Sequence, residues 1–116
     1  MPEKVTAGRD VLGDFAPTFA ALNDDVLFGQ VWAREEQLSP RIRSIVTVTA
    51  LMSGGVLESS LQHHIGRAKA NGVTADEMAE VLTHAAFYAG WPRAWATFRV
   101  ATEIYGAEVP RQTGRA

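Results

Sequence analysis

The stretch SPRIRSIVTVTALMSGG, residues 39–55, decides the fold class. Ser39 stands where a helix N-cap belongs, and Pro40 takes the first helical position, where its missing N–H is not needed. The pair Gly54-Gly55 supplies the stop. Between these signals run Ile45, Val46, Val48, Ala50, Leu51 and Met52, with only Ser44, Thr47 and Thr49 as small hydroxyls after Arg41 and Arg43. A helix over 40–53 that is apolar nearly all round is expected to be buried on most faces.

Outward from it, helical punctuation continues in both directions. A helix from about Leu57 to Ala70 carries the stripe Leu57, Leu61, Ile65 and Ala68, and stops at Asn71-Gly72 behind Lys69. Thr74-Ala75-Asp76-Glu77 reads as a capping box and opens a helix through Met78, Val81, Leu82, Ala85, Ala86 and Ala89 to Gly90. Beyond Trp91-Pro92, the run Arg93 to Tyr105 forms the last helix, with Trp95, Phe98, Val100, Ala101 and Ile104 on it. Toward the N-terminus, Gly8, Gly13 and Pro17 divide residues 7–22 into one or two short helices with a break before the proline. Asp24 to Glu36 reads as a short amphipathic helix bearing Leu27, Phe28, Val31 and Trp32. Strand-type alternation is nearly absent. The expected fold is all-α, one domain over 1–116 built as a bundle of about six helices, with 1–7 and 108–116 as frayed tails.

Composition narrows the function. The 116 residues are 47% hydrophobic and 21% charged, the balance of one globular domain. Eleven Lys and Arg against thirteen Asp and Glu give a net charge of −2 with no basic run, so neither nucleic acid nor an anionic membrane is an expected partner. The absence of cysteine excludes disulfides, thiolate zinc sites, iron–sulfur clusters and Cys nucleophiles. No segment reaches the ~18 apolar residues of a membrane span, and a cytoplasmic protein is expected. A domain this small buries only about two thirds of its unfolded surface, so the apolar excess points to a homo-oligomer.

Candidates for chemistry cluster around one histidine. His64 falls on the apolar face of its helix, whereas His63 is turned about 100° away, toward Arg67. Two readings stand: a hydrogen-bonded core histidine, or a functional imidazole in the cleft between this helix and the next, which carries His84. Glu58 lies more than one and a half turns before His64 and could reach it only with help from neighbouring helices. Arg43, in the first turn of the most apolar helix, is either half of a buried ion pair with Glu58, Glu35 or Glu36, or a clamp for a substrate carboxylate. The aromatic corner Phe87-Tyr88-Ala89-Gly90-Trp91-Pro92 suggests an oligomer contact with a cleft beside it, and Trp32, Phe87 and Trp91 are the candidate pocket walls. No HxxxH or HExxH spacing supports a metal site, and Ser59 and Ser60 lack a nucleophile-elbow pattern.

Several segments together resemble the carboxymuconolactone decarboxylase family, within the alkylhydroperoxidase D-like group. They are 26–32, 38–48 with Ala50 and Leu51, Gly54-Gly55, Glu58, Leu61, His64, 71–74, 80–84 and 86–92. The resemblance spans about residues 8 to 106. It implies an all-helical protein assembled as a homotrimer or homohexamer, with no cofactor and a small-molecule substrate. The peroxidase branch has a CxxC pair before the histidine that His64 resembles; Leu57 to Ser60 contains no cysteine, so disulfide-based peroxide reduction is impossible here. From the decarboxylase branch the resemblance carries Arg43, Glu58 and His64 over as site residues. His84 departs from the decarboxylases proper, where Gln or a similar residue is expected, and resembles a subgroup of unassigned relatives.

The implied reaction needs no metal or organic electron sink. When a 4-carboxymuconolactone loses CO2 from its γ-carbon, the electrons pass through the unsaturated lactone to its carbonyl oxygen, and the resulting dienolate is protonated on carbon. The protein must supply a cationic or hydrogen-bonding group at the oxyanion, an acid, and a water-poor pocket. The alternative is a non-catalytic oligomer that keeps the scaffold and binds a small ligand or partner.

Overall fold

The structure, a computed structural model, describes residues 4–106. Six α-helices and one π-helix account for the regular structure among them, in the order α1 (Ala7–Leu12), α2 (Pro17–Ala21), the π-helix Leu22–Val31, α3 (Pro40–Ser53), α4 (Ser59–Ala70), α5 (Ala75–Ala89) and α6 (Trp91–Tyr105). There is no strand among the described residues. The fold is all-α, as its punctuation predicts. The chain divides into two compact units, Met1–Pro40 and Arg41–Ala116. The expected tail 108–116 lies outside the described residues, while Ala7, expected to fray, opens α1.

In the first unit α1, α2 and the π-helix pack on one another. The break before Pro17 holds, with Pro17 starting α2. The amphipathic α-helix expected over 24–36 is corrected by the structure. The segment is wound as a π-helix that continues directly from α2 and ends at Val31, with the Trp32 N–H donating to the Leu27 carbonyl five residues back at 2.9 Å. The wider winding breaks the 3.6-residue spacing on which the apolar stripe depended, so Leu27 and Val31 stay exposed while Asp24 is buried.

Asp24 replaces that stripe as the organising residue. Its Oδ1 accepts the Gly8 N–H at 2.8 Å and its Oδ2 the Arg9 N–H at 3.0 Å, and Asn23 Nδ2 adds a third bond at 3.0 Å. These N–H groups belong to the first turn of α1, which its own N-cap residue Thr6 leaves without a side-chain acceptor. A carboxylate from another helix thus caps α1, and its charge complements the helix dipole. Burial raises the Asp24 proton affinity, but these hydrogen bonds and the Arg9 guanidinium outweigh it and hold the carboxyl below its ordinary range.

In the second unit α3 has the bounds its sequence signals announce, yet it is not buried on most faces. Ser44, Val48 and Met52 form its only fully buried line, while Ile42 and Val46 are exposed. Leu61, Ile65 and Ala68 of α4 meet Val48, Met52, Met78, Leu82, Ala94 and Ala101 in one core, with Leu57 partly buried against it. Full burial of a side chain such as Leu61 or Ile65 stabilises the fold by about 1.5–3 kcal/mol. α4 starts at Ser59 rather than Leu57, and α6 starts at Trp91 rather than Arg93 because Pro92 fits inside a first turn. The capping box of α5 is complete: the Glu77 N–H donates to Thr74 Oγ1 at 3.1 Å, and the Thr74 N–H to Glu77 Oε1 at 3.0 Å. Gly72, at φ +95°, makes the turn between α4 and α5, and the buried Tyr105 hydroxyl ties α6 to it by donating to the Val73 carbonyl at 2.8 Å. No helix is long and apolar enough to cross a membrane among the described residues.

Candidate functional site

His64 sits at the edge of the buried stripe of α4. Leu61, Ile65 and Ala68 point into the core, and the imidazole, one step round the helix, is half-buried with its Nδ1 shielded from solvent. His63 is exposed, as its turn of about 100° predicts, and its ring meets that of His64 edge-on with centroids 5.0 Å apart. Burial lowers the proton affinity of His64 below the ordinary histidine value, and the charges of His63 and Arg67 lower it further.

The other expected residues are distributed over different elements. Arg43 is half-buried in the first turn of α3, where its carbonyl accepts the Thr47 hydroxyl at 2.8 Å. Glu58 occupies the N-cap of α4, exposed, with its backbone carbonyl taken by the N–H of Leu61 at 3.0 Å. His84 is exposed on α5, 5.4 Å from the ring of Tyr88. It lines a groove of about 580 Å³ between α3 and α5, together with Arg41, Ile45, Thr49, Glu77, Glu80 and Val81. His64, Arg43 and Glu58 are not on the walls of that groove. α4 and α5 each pack on α6; His64 on α4 is half-buried and His84 on α5 is exposed.

The groove contains an ion pair that the sequence alone does not announce. Arg41 Nη2 meets Glu77 Oε2, so Glu77 closes the capping box with one oxygen and binds a guanidinium with the other. The bond from the Thr74 N–H, together with Arg41, holds the Glu77 carboxyl below its ordinary range against some desolvation. Among the described residues, no three His, Asp or Glu side chains gather as a metal-binding group.

The aromatic candidates separate as well. Trp32 belongs to the first unit, where it is buried and stacked on Phe28 with ring centroids 6.0 Å apart. Phe87 and Trp91 belong to the second unit and are exposed, the ring of Phe87 edge-on to Trp91 at 5.8 Å. Trp91 also walls an apolar cavity of about 270 Å³ between α5 and α6 with Thr83, Ala86, Ala94, Trp95 and Phe98.

Sequence comparison decides the family. Residues 17–103 match the model of the carboxymuconolactone decarboxylase family, a span that runs from the start of α2 to near the end of α6 and includes every candidate side chain. The chain belongs to the carboxymuconolactone decarboxylase family. It is 35% identical over 101 residues to a 4-carboxymuconolactone decarboxylase of Acinetobacter baylyi (strain ATCC 33305 / BD413 / ADP1), covering 87% of this chain and 74% of that protein.

Within this family member, Arg67 is the residue that the reading of the sequence passed over. It appeared there only as the direction in which His63 points, yet it is half-buried one turn after His64 and acts electrostatically on it. The signal available was the i, i+3 spacing of a guanidinium and an imidazole on one helix.

Proposed function

We propose that the chain is a cofactor-free carboxy-lyase acting on a small lactone acid, most simply 4-carboxymuconolactone, and that His64 is its proton donor. The half-burial of His64 within a match to the decarboxylase family carries the reading. A decarboxylase without a cofactor needs its substrate to act as its own electron sink. The unsaturated lactone does so: the bond between the γ-carbon and the carboxyl carbon breaks, CO2 leaves, and the electron pair moves through the C=C bond onto the lactone carbonyl oxygen.

The cationic Arg43 suits the developing oxyanion, and stabilising charge that exists only after bond breaking lowers the barrier rather than merely tightening binding. His64 then delivers a proton to the ring carbon, restoring the lactone carbonyl, and recovers one from water. Its depressed proton affinity fits this task. An incoming dicarboxylate counteracts the positive neighbours, the imidazole takes up a proton, and the acid so formed is strong enough to protonate carbon. Glu58, at the head of α4, and His84, on the α3–α5 groove, are assigned supporting roles in orienting groups, with the aromatic side chains Phe87 and Trp91 as walls.

The same chain is proposed to work as a homo-oligomer. Ile42 and Val46 on α3, and Phe87, Tyr88, Trp91 and Trp95 around the α5–α6 corner, are exposed apolar side chains suited to contact between copies. Incubation of the pure protein with 4-carboxymuconolactone tests the reading. CO2 release and loss of the lactone well above the buffer rate are expected, and a rate equal to buffer removes the lyase in favour of a non-catalytic binding protein.

A further inference from the structure

Trp91, Trp95 and Arg99 recur at every fourth residue of α6, so they follow one another along a single flank of the helix. All three are exposed. The two indoles wall the apolar α5–α6 cavity of about 270 Å³, which Thr83, Ala86, Ala94 and Phe98 complete. The Thr83 hydroxyl is engaged there, donating to the Ala79 carbonyl at 2.7 Å, and offers an occupant no proton. The same two indoles also line a more open hollow that contains Arg99.

The Arg99 guanidinium lies 5.9 Å from the centroid of the Trp95 ring, and no carboxylate pairs with it among the described residues. Glu103 stands one turn further along α6, yet the guanidinium turns back to the indole. Cation before acid is the weaker order for a pair at i, i+4. A planar cation is thereby held beside the aromatic wall of an apolar cavity, with its fork of N–H donors open to an anion.

We propose that the α5–α6 cavity and Arg99 together bind a monocyclic aromatic carboxylate, its ring against Trp91, Trp95 and Phe98 and its carboxylate on the Arg99 fork. Volume sets the size. An apolar cavity of about 150 Å³ holds benzene and drug-sized ligands occupy about 300 Å³ or more, so the α5–α6 cavity suits one ring with a short substituent. Three aromatic walls favour a ring with a π-face over a saturated ring of equal size, through offset and edge-on contacts. Charge sets the sign, since a guanidinium takes a carboxylate through two parallel N–H donors. His64, Arg43 and Glu58 are not on the walls of the cavity or of the hollow. The assignment therefore goes beyond the lyase reading and stands without it.

The test uses the full-length protein and benzoate, followed through the NMR signals of the indole N–H groups. Benzoate should shift Trp91 and Trp95 saturably and leave Trp32, buried in the first unit, unmoved. Arg99→Gln should weaken benzoate binding about tenfold, whereas benzyl alcohol, which keeps the ring without the charge, should bind both proteins alike. Cyclohexanecarboxylate, which keeps the charge without the π-face, should bind more weakly than benzoate. Thr83→Leu, at an exposed wall position, should fill the cavity and remove the response to benzoate and benzyl alcohol with helicity unchanged. Trp91 and Trp95 signals indifferent to benzoate overturn the assignment, and they are the result expected if a second copy of the chain covers these indoles instead. Equal benzoate affinity in the wild-type protein and Arg99→Gln overturns it too, as does cyclohexanecarboxylate binding as tightly as benzoate, or a folded Thr83→Leu that binds benzoate unchanged. Should Thr83→Leu fail to fold, Arg99→Gln, at an exposed side chain, decides alone. Turnover of 4-carboxymuconolactone is measured on the same samples: its absence removes the lyase reading, while the benzoate titration still reports on this site.

Discussion

The ring of His63 stands edge-on to the ring of His64, the planes at 81°, so an exposed imidazole abuts a half-buried one. Desolvation, His63 and Arg67 all push the His64 proton affinity down. In the unfolded chain His64 returns to about 6.5. Between its lowered folded value and that figure, the unfolded state binds more protons, so stability rises with pH across this window. The contribution is fully present above about pH 6.5 and is lost as pH falls through the folded value. Urea midpoints measured between about pH 5 and 7.5 should therefore fall more on acidification for the wild-type protein than for His64→Gln. Parallel curves for the two proteins would mean that His64 titrates as freely in the fold as outside it.

The cap on α1 has no slack. A Cβ placed on Gly8 would lie 2.7 Å from Asp24 Oδ1 and 2.9 Å from the Ala20 carbonyl oxygen. Gly8→Ala should therefore push α1 off its acceptor, and Asp24→Ala should leave the Gly8 and Arg9 N–H groups without that acceptor. Each is expected to lower Tm by about 5 °C or more. Because both break the same junction, the double variant should lose clearly less than the two single losses added together, measured by thermal unfolding. Simple additivity would show that Asp24 and Gly8 act independently.

The proposed self-association is argued from the exposed α5–α6 corner. Sedimentation at micromolar concentration should show a species several times the 12.6 kDa chain. Tyr88→Glu, at a residue 82% exposed in the single chain, should shift the distribution toward smaller species without loss of helicity. A stable wild-type monomer contradicts the proposal.

The sequence is most legible where a signal and its partner lie within one turn of each other. Ser39-Pro40 with Gly54-Gly55, and Thr74 with Glu77, bound α3 and α5 because caps are local hydrogen-bond problems with local solutions. The buried stripe of α4 is equally local, since Leu61, Ile65 and Ala68 share a face whatever surrounds them. Legibility ends where the partner is distant. Asp24 looks like an N-cap for its own helix, yet it caps one that begins 17 residues earlier at Ala7, and the π-helical winding through Val31 leaves no periodic trace. The same limit applied at the candidate site: the helix face of His64 could be read from spacing, but the α3–α5 groove that takes His84 depends on how helices meet.

The most direct measurement of the central claim is the turnover of 4-carboxymuconolactone by His64→Gln beside the wild-type protein, with Tm and oligomeric state recorded on the same samples. Glutamine keeps much of the volume and a hydrogen-bonding group but cannot carry the proton. The account predicts that kcat falls by about a hundredfold or more while Tm and assembly stay nearly unchanged. A variant that retains wild-type kcat per folded molecule and instead loses stability would contradict it, and would make His64 a core histidine rather than the acid.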